Sequence, residues 1–261
     1  DALPISIGGG FAVLSLGGIL NGLSSSLFSG NNDALLHDTL HESGTTGDYQ
    51  AHLGRVSSMF QFALAISALV GSVIANVSFA LVMWLSVIPQ IGLVIVSLRF
   101  IEPQIHKAES GNAYAHLREA FHNIMVNPRL RALSAGHILQ MSIGEAAFQF
   151  RTVFIETLWP LWAIGAARTI SNISAAFSFY FAGGLIRRFG QKRLLLGGIT
   201  LAEFTNLFAL ILNNVISPVF QGLTSLFFGV NTVSINGLKQ REFTQEQRAT
   251  MGSLVAFGSS L

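Results

Sequence analysis

The 261-residue chain is 51% hydrophobic and 11% charged, carries a formal net charge of +2 and contains no cysteine. That composition is too apolar for a water-soluble domain of this length, so most side chains must face lipid or other helices. A chain without Cys has no disulfide scaffold and no Cys-based metal site, and so small a charge gives nucleic acid no electrostatic footprint.

In chain order, apolar segments long enough to cross a bilayer are predicted at residues 7–30, 56–76, 79–100, 131–154, 160–183, 191–213 and 216–238. An eighth begins near Thr250 and stops at Leu261 about half a membrane deep, so the sequence reads as an internal fragment of a longer chain. Thirteen of the fifteen Lys and Arg residues fall in four polar stretches: Arg55; Arg99, Lys107, Arg118, Arg129 and Arg131; Arg187, Arg188, Lys192 and Arg193; and Lys239, Arg241 and Arg248. The turns near 76–78, 156–159 and 213–217 have no basic residue. Cytoplasmic loops retain Lys and Arg, so the four basic stretches face the cytoplasm and the first span runs inward.

Residues 102–130 are the longest cytoplasmic piece. Glu102-Pro103 opens it, Ser110-Gly111-Asn112 makes a polar turn, and a helix then runs to Asn127-Pro128. Tyr114, Leu117, Phe121, Ile124 and Met125 recur at helical spacing and give that helix one apolar face for the inner membrane surface or the helix ends. It divides the chain into residues 1–102, with three spans; a linker at 103–130; and residues 131–261, with four spans and a truncated fifth. The linker helix reads either as a plain joint between two bundles or as a regulatory surface.

Two stretches give the chain a family resemblance. Gly183-Gly184-Leu185-Ile186-Arg187-Arg188-Phe189-Gly190-Gln191-Lys192-Arg193 is similar to a degraded Gly-x-Leu-x-Asp-Arg-x-Gly-x-Lys loop, with Arg187 where the acid would stand. The first span carries Gly18-x-x-x-Gly22 and then Leu23-Ser24-Ser25-Ser26, small residues at a spacing that lets helices approach closely. On these residues the chain resembles a bacterial transporter of the major facilitator superfamily, from its fourth span to the start of its eleventh. Drug antiporters of that family carry an Arg where Gly18 stands and Gly-Pro-x-x-Gly-Gly where Ser67-Ala68-Leu69-Val70-Gly71-Ser72 stands, so the likeness carries the fold further than the antiporter subclass.

The resemblance implies an all-α membrane protein of two helical bundles, with seven complete transmembrane helices and a truncated eighth, working by alternating access in a bacterial inner membrane. It implies a cytoplasmic gate loop of Gly183, Arg187, Arg188, Gly190, Lys192 and Arg193, with Asp38 as candidate ionic partner. The partners it implies are a small organic substrate, the lipid bilayer and protons. A monomer without cofactor or metal is expected, and the Phe-rich spans lean towards efflux of apolar compounds.

Charged residues inside spans are the sharpest functional signal, because each is expensive in hydrocarbon unless paired or hydrated. They are Glu145, Arg151, Arg168 and Glu203, of which Glu145, Arg168 and Glu203 are predicted near mid-depth. Ser134, His137, Met141, Glu145, Phe148, Gln149 and Thr152 form a stripe on one helix, and Arg168, Ser171, Asn172 and Ala175 form one on the next. Glu145 and Arg168 are read either as an ion pair that fixes two helices or as a site binding a proton, cation or anionic substrate group. Burial favours the protonated carboxyl and a nearby Arg the charged one, so proton carriage depends on whether the pair breaks during transport. Glu203 is read either as a structural contact with Asn206 or a neighbouring helix or as part of the substrate or proton pathway, and His137 as a core hydrogen-bonding group or a relay. Arg151 is expected to snorkel outward or pair with Glu156, and Asn231 and Asn236 to bind ligand or a neighbouring helix.

Enzymatic readings find less support. His37 and His41 stand four apart without a third ligand at suitable spacing, and neither a Gly-rich phosphate loop nor a Gly-x-Ser-x-Gly elbow occurs. A sensor or scaffold that kept the fold without transport remains the rival to a carrier.

Overall fold

The computed structural model describes residues 11–28, 31–45, 48–99 and 113–242, which are helical with no strand among them. In chain order these are α1 (Phe11–Phe28), α2 (Asn31–Glu42), α3 (Tyr49–Ala75), α4 (Phe79–Ser97), α5 (Ala113–Val126), α6 (Pro128–Leu158), α7 (Ile164–Phe189), α8 (Gln191–Leu212), α9 (Ser217–Leu223) and α10 (Phe228–Glu242). Short 3₁₀ turns at Leu161–Ala163 and Thr224–Leu226 precede α7 and separate α9 from α10. The eighth segment near Thr250 lies outside the described residues.

Four described helices, α3, α4, α8 and α7, are long and apolar enough to cross a membrane. α6 is longer, about 46 Å at 1.5 Å per residue, but Arg129, Arg131, Glu145, Arg151 and Glu156 are spread along it. α3 begins at Tyr49, two turns before the predicted start of its span, and α7 runs to Phe189, two turns past the predicted end. Both extensions lie at the basic end, where helices project beyond hydrocarbon into water.

Local chemistry sets the boundaries. The Asn127 side chain accepts hydrogen bonds from the backbone N–H groups of Arg129 and Leu130, and Pro128 takes the first turn, so one dipeptide ends α5 and starts α6. Ser78 caps α4 by accepting from Leu81 N–H. Gly190 has φ +83° and ψ 144°, a backbone region open essentially to glycine, and joins the end of α7 directly to the start of α8. α6 continues to Leu158, into the predicted turn, and Trp159 Nε1 donates to the Val215 carbonyl at 2.7 Å, tying the turns after α6 and α8 together.

The span predicted as continuous over 216–238 is broken. Ser225 Oγ lies 2.7 Å from Ser171 Oγ, Gly222 packs against Ile170, and the Val230 N–H donates to Ser178 Oγ at 3.1 Å. Of these contacts from α7, the Ser178 hydroxyl supplies a partner to a backbone N–H beside the break, the kind of compensation a membrane-embedded break requires.

α7 is the hub, touching α3, α6, α8, α9 and α10. Its seam with α3 is antiparallel and lined by small residues. Gly183 packs on Ala51, Gly54 on Phe179, and Gly165 on Ala68 and Ser72, while Thr169 Oγ1 donates to the Ala65 carbonyl at 3.1 Å. The positions on α3 are spaced by three, eleven, three and four, all of which return to one face of a helix. At the basic end, Leu40 of α2 and Tyr49 and Leu53 of α3 form one buried cluster with Phe179, Ala182 and Ile186 of α7 and Val230 and Val233 of α10. By contrast, α4 buries no residue and packs on α3 alone above the weakest contacts, leaving Leu81, Trp84, Ile88 and Ile91 exposed as a lipid-facing helix would. On α5, Phe121 and Met125 of the predicted apolar face are also exposed, whereas Tyr114 and Leu117 have side chains outside the described set.

Candidate functional site

Arg151, Arg168 and Glu203 come from α6, α7 and α8, and their charges lie within interacting range. Arg168 is half-buried four residues after the start of α7, about 6 Å along its axis. Its guanidinium carbon lies 3.9 Å from the centroid of the Phe148 ring, and Nη2 donates to Thr152 Oγ1 at 2.5 Å. A cation over an aromatic face with a hydroxyl acceptor beside it is held without full hydration, and the planar fork of Arg makes both contacts at once.

Phe148 and Thr152 sit three and seven residues beyond Glu145, so Glu145 occupies the same face of α6, about 4.5 Å and 10.5 Å deeper along the axis. The side chains of Glu145, Gln149, Met141 and His137 lie outside the described residues, and their positions on α6 are what the structure gives. Asn172 follows Arg168 by one turn on α7 and is half-buried.

Arg151 departs from the outward-snorkelling expectation. It is half-buried on α6 and lies within Coulombic reach of both Arg168 and Glu203. Glu203, exposed on α8, is near enough to Arg151 for their charges to interact. With Thr200, Phe204 and Leu207 it lines a shallow groove of about 200 Å³. Two cations held close together repel unless acids stand near, and each added carboxylate offsets that repulsion. Sequence reasoning counted Glu203 among the pathway residues and left Arg151 out, because position along a single helix says nothing of which neighbour a side chain faces. The signal that could have joined them was that Arg151 and Arg168 are the two basic residues outside the cytoplasmic stretches.

Polar side chains continue inward from this cluster. Gln221 Oε1, Asn231 Oδ1, Ser234 Oγ, Ser134 Oγ and Gln191 Nε2 are buried without a hydrogen-bond partner among the described residues. Asn231 Oδ1 is pressed against Gly198 of α8, an interhelical contact that glycine permits. Asn236, the other asparagine expected to reach a ligand or a helix, is half-buried.

At the basic end, Gly183 lies on Ala51 and Gly190 makes the turn, while Arg187, Arg188, Lys192 and Arg193 are exposed. The Arg188 guanidinium lies 5.3 Å from the Phe189 ring centroid. Asp38 is half-buried on α2, and Leu36 and Leu40 of the same helix pack on the cluster formed with Leu185 and Ile186, the residues just before Arg187. The tertiary fold therefore brings the Asp38 helix to the end of α7 that carries the arginines.

Comparison of the chain with curated proteins and with solved structures gives no match. The family model described as Major Facilitator Superfamily matches residues 2–261, essentially the whole chain. With helices that fit a bilayer and charges gathered between them, the chain belongs to the major facilitator superfamily and is an integral membrane protein of a secondary-transporter family.

Proposed function

We propose that the protein moves a small organic molecule across the membrane by alternating access, coupled to protons through the charges between α6, α7 and α8. Glu145 is the proton carrier, Arg168 its switchable counter-charge, and Arg151 with Glu203 sets the potential around them; His137, Gln149 and Asn172 line the same path. The observation that carries this reading is the seat of Arg168 on Phe148 and Thr152, the face of α6 to which Glu145 belongs. A cation that can either rest on an aromatic ring or approach a carboxylate provides two states of similar energy, and protonation of the acid decides between them. The loop of Gly183, Arg187, Arg188, Gly190, Lys192 and Arg193, with Asp38 on α2, latches the cytoplasmic side by charge. Exposed aromatic side chains such as Phe204 beside Glu203 favour an apolar substrate and efflux.

The test is pH-dependent flux in proteoliposomes. Glu145→Gln in a folded protein removes the pH dependence while leaving ligand binding; an unchanged pH profile rules out Glu145 as the carrier.

A further inference from the structure

We propose that the seam between α3 and α7 holds an anionic phospholipid, with its phosphate between Arg55 and Tyr180 and its acyl chains along the exposed face of α7. The site lies apart from the transport path and does not depend on the transport reading. Gly54 packs on the backbone of Phe179, where the two helices run antiparallel. One residue onward on each helix turns by about 100°, and in an antiparallel pair both turns go to the same side of the seam. Arg55 and Tyr180 therefore flank it together, and both are exposed. Arg55 forms no hydrogen bond or ion pair among the described residues.

Towards the membrane interior this side is apolar. Met59 and Phe62, one and two turns beyond Arg55, and Phe177 and Phe181 beside Tyr180 are exposed, and the two Phe rings are parallel with centroids 6.5 Å apart. Such a wall accepts hydrocarbon chains. Towards the basic end, Tyr180, Gly184 and Arg187 follow at helical spacing on one face of α7. A Cβ on Gly184 would meet nothing within 4 Å, so a recess lies between the phenol and the guanidinium. Arg55 and Arg187 stand four residues to either side of the Ala51–Gly183 contact, about 12 Å apart along the axis, a gap that two long side chains close over one headgroup.

Charge decides the occupant. A further helix laid in this groove would strand the Arg55 guanidinium in an apolar contact, whereas a lipid meets it with a phosphate and covers the aromatic wall with hydrocarbon. Basic helix ends lie at the cytoplasmic leaflet, whose surface is anionic.

The test is native mass spectrometry of the full-length protein, titrated in detergent with phosphatidylglycerol or with phosphatidylcholine of the same chains. The parent is expected to hold phosphatidylglycerol the more tightly, since choline offsets the phosphate charge. Arg55→Gln is expected to weaken phosphatidylglycerol about fivefold, the scale of one cation at an anionic surface, and to leave phosphatidylcholine unchanged. Arg55→Lys keeps most of the preference. Gly184→Leu fills the recess without altering charge and weakens both lipids. Arg99→Gln removes an exposed cation just beyond α4, away from the seam, and changes neither. Equal affinity of the parent for the two lipids, equal losses in Arg55→Gln and Arg99→Gln, or unchanged binding in Gly184→Leu would each overturn the inference. Displacement of the lipid by glycerol 3-phosphate, which has the headgroup chemistry without the chains, would overturn it too and mark a site for a soluble anion.

Discussion

The guanidinium of Arg168 stands on the ring of Phe148, 3.9 Å from carbon to centroid, and so fastens the outer half of α7 to α6. Because Thr152 accepts from the same guanidinium, the site is matched to a planar, multiply donating cation. Arg168→Lys keeps the charge but cannot stack and donate in the same pose. Uptake by this variant is expected to fall about tenfold with little loss of thermal stability, and Thr152→Val to fall less. Initial-rate flux beside a melting curve separates the two effects, and full activity of Arg168→Lys would count against the matched geometry.

Arg151, half-buried on α6, and Glu203, exposed on α8, are near enough for their charges to interact. A double-mutant cycle of Arg151→Gln and Glu203→Gln is expected to be non-additive by about 0.5 kcal/mol or more in unfolding free energy, the range for residues in direct interaction. Additive losses would show that the two charges act separately.

Gly183 and Gly184 are neighbours with opposite surroundings. A Cβ on Gly183 would lie 2.9 Å from the Ala51 Cα and force α3 from α7, whereas one on Gly184 meets nothing within 4 Å. Gly183→Ala is expected to destabilise the protein by about 1–3 kcal/mol. Gly184→Ala should be neutral or stabilising by up to about 1 kcal/mol through helix propensity. Melting temperatures in detergent check the pair, and similar shifts for both would contradict the seam.

The broken limb makes its own prediction. Ser178 Oγ accepts the Val230 N–H at 3.1 Å where the chain re-enters helix α10. Ser178→Ala strands that buried donor and is expected to cost about 1–3 kcal/mol, while Ser178→Thr, which keeps an oxygen, costs less. Hydrogen exchange at Val230 reads the effect locally.

Gly190 is held at φ +83° between α7 and α8, so Gly190→Ala is expected to cost about 1–3 kcal/mol in backbone strain. The arginines on either side stay exposed in this variant, so any change in gating measured with it is conformational rather than electrostatic.

Several turns were legible because they follow from one-dimensional rules. Hydropathy placed those near Asn76 and Asn213, and basic residues gather at the end of α7 where Leu40, Tyr49 and Ile186 meet. What failed was knowledge of neighbours. The pattern over 216–238 is continuously apolar, and nothing in it reveals that Ser171 and Ser178 of another helix supply the polar contacts at its break. Arg151 read as peripheral because its partners lie on α7 and α8, not on α6. The stripe containing Phe148 and Thr152 was visible from spacing, but the seat of Arg168 on it was not, since spacing along α6 does not show which residue of α7 meets it. The α3–α7 seam also escaped notice: small residues at Gly54 and Gly183 give no signal until two helices are laid together.

The central claim is that proton movement through these charges drives a bound compound across the membrane. Its most direct test is accumulation of that compound in proteoliposomes under an imposed pH gradient, with the parent protein and Glu145→Gln compared side by side. The account predicts accumulation above equilibrium in the parent, collapse with a protonophore, and equilibration without accumulation in Glu145→Gln. Binding of the compound without flux in the parent, or gradient-driven accumulation in Glu145→Gln equal to the parent's, would contradict it.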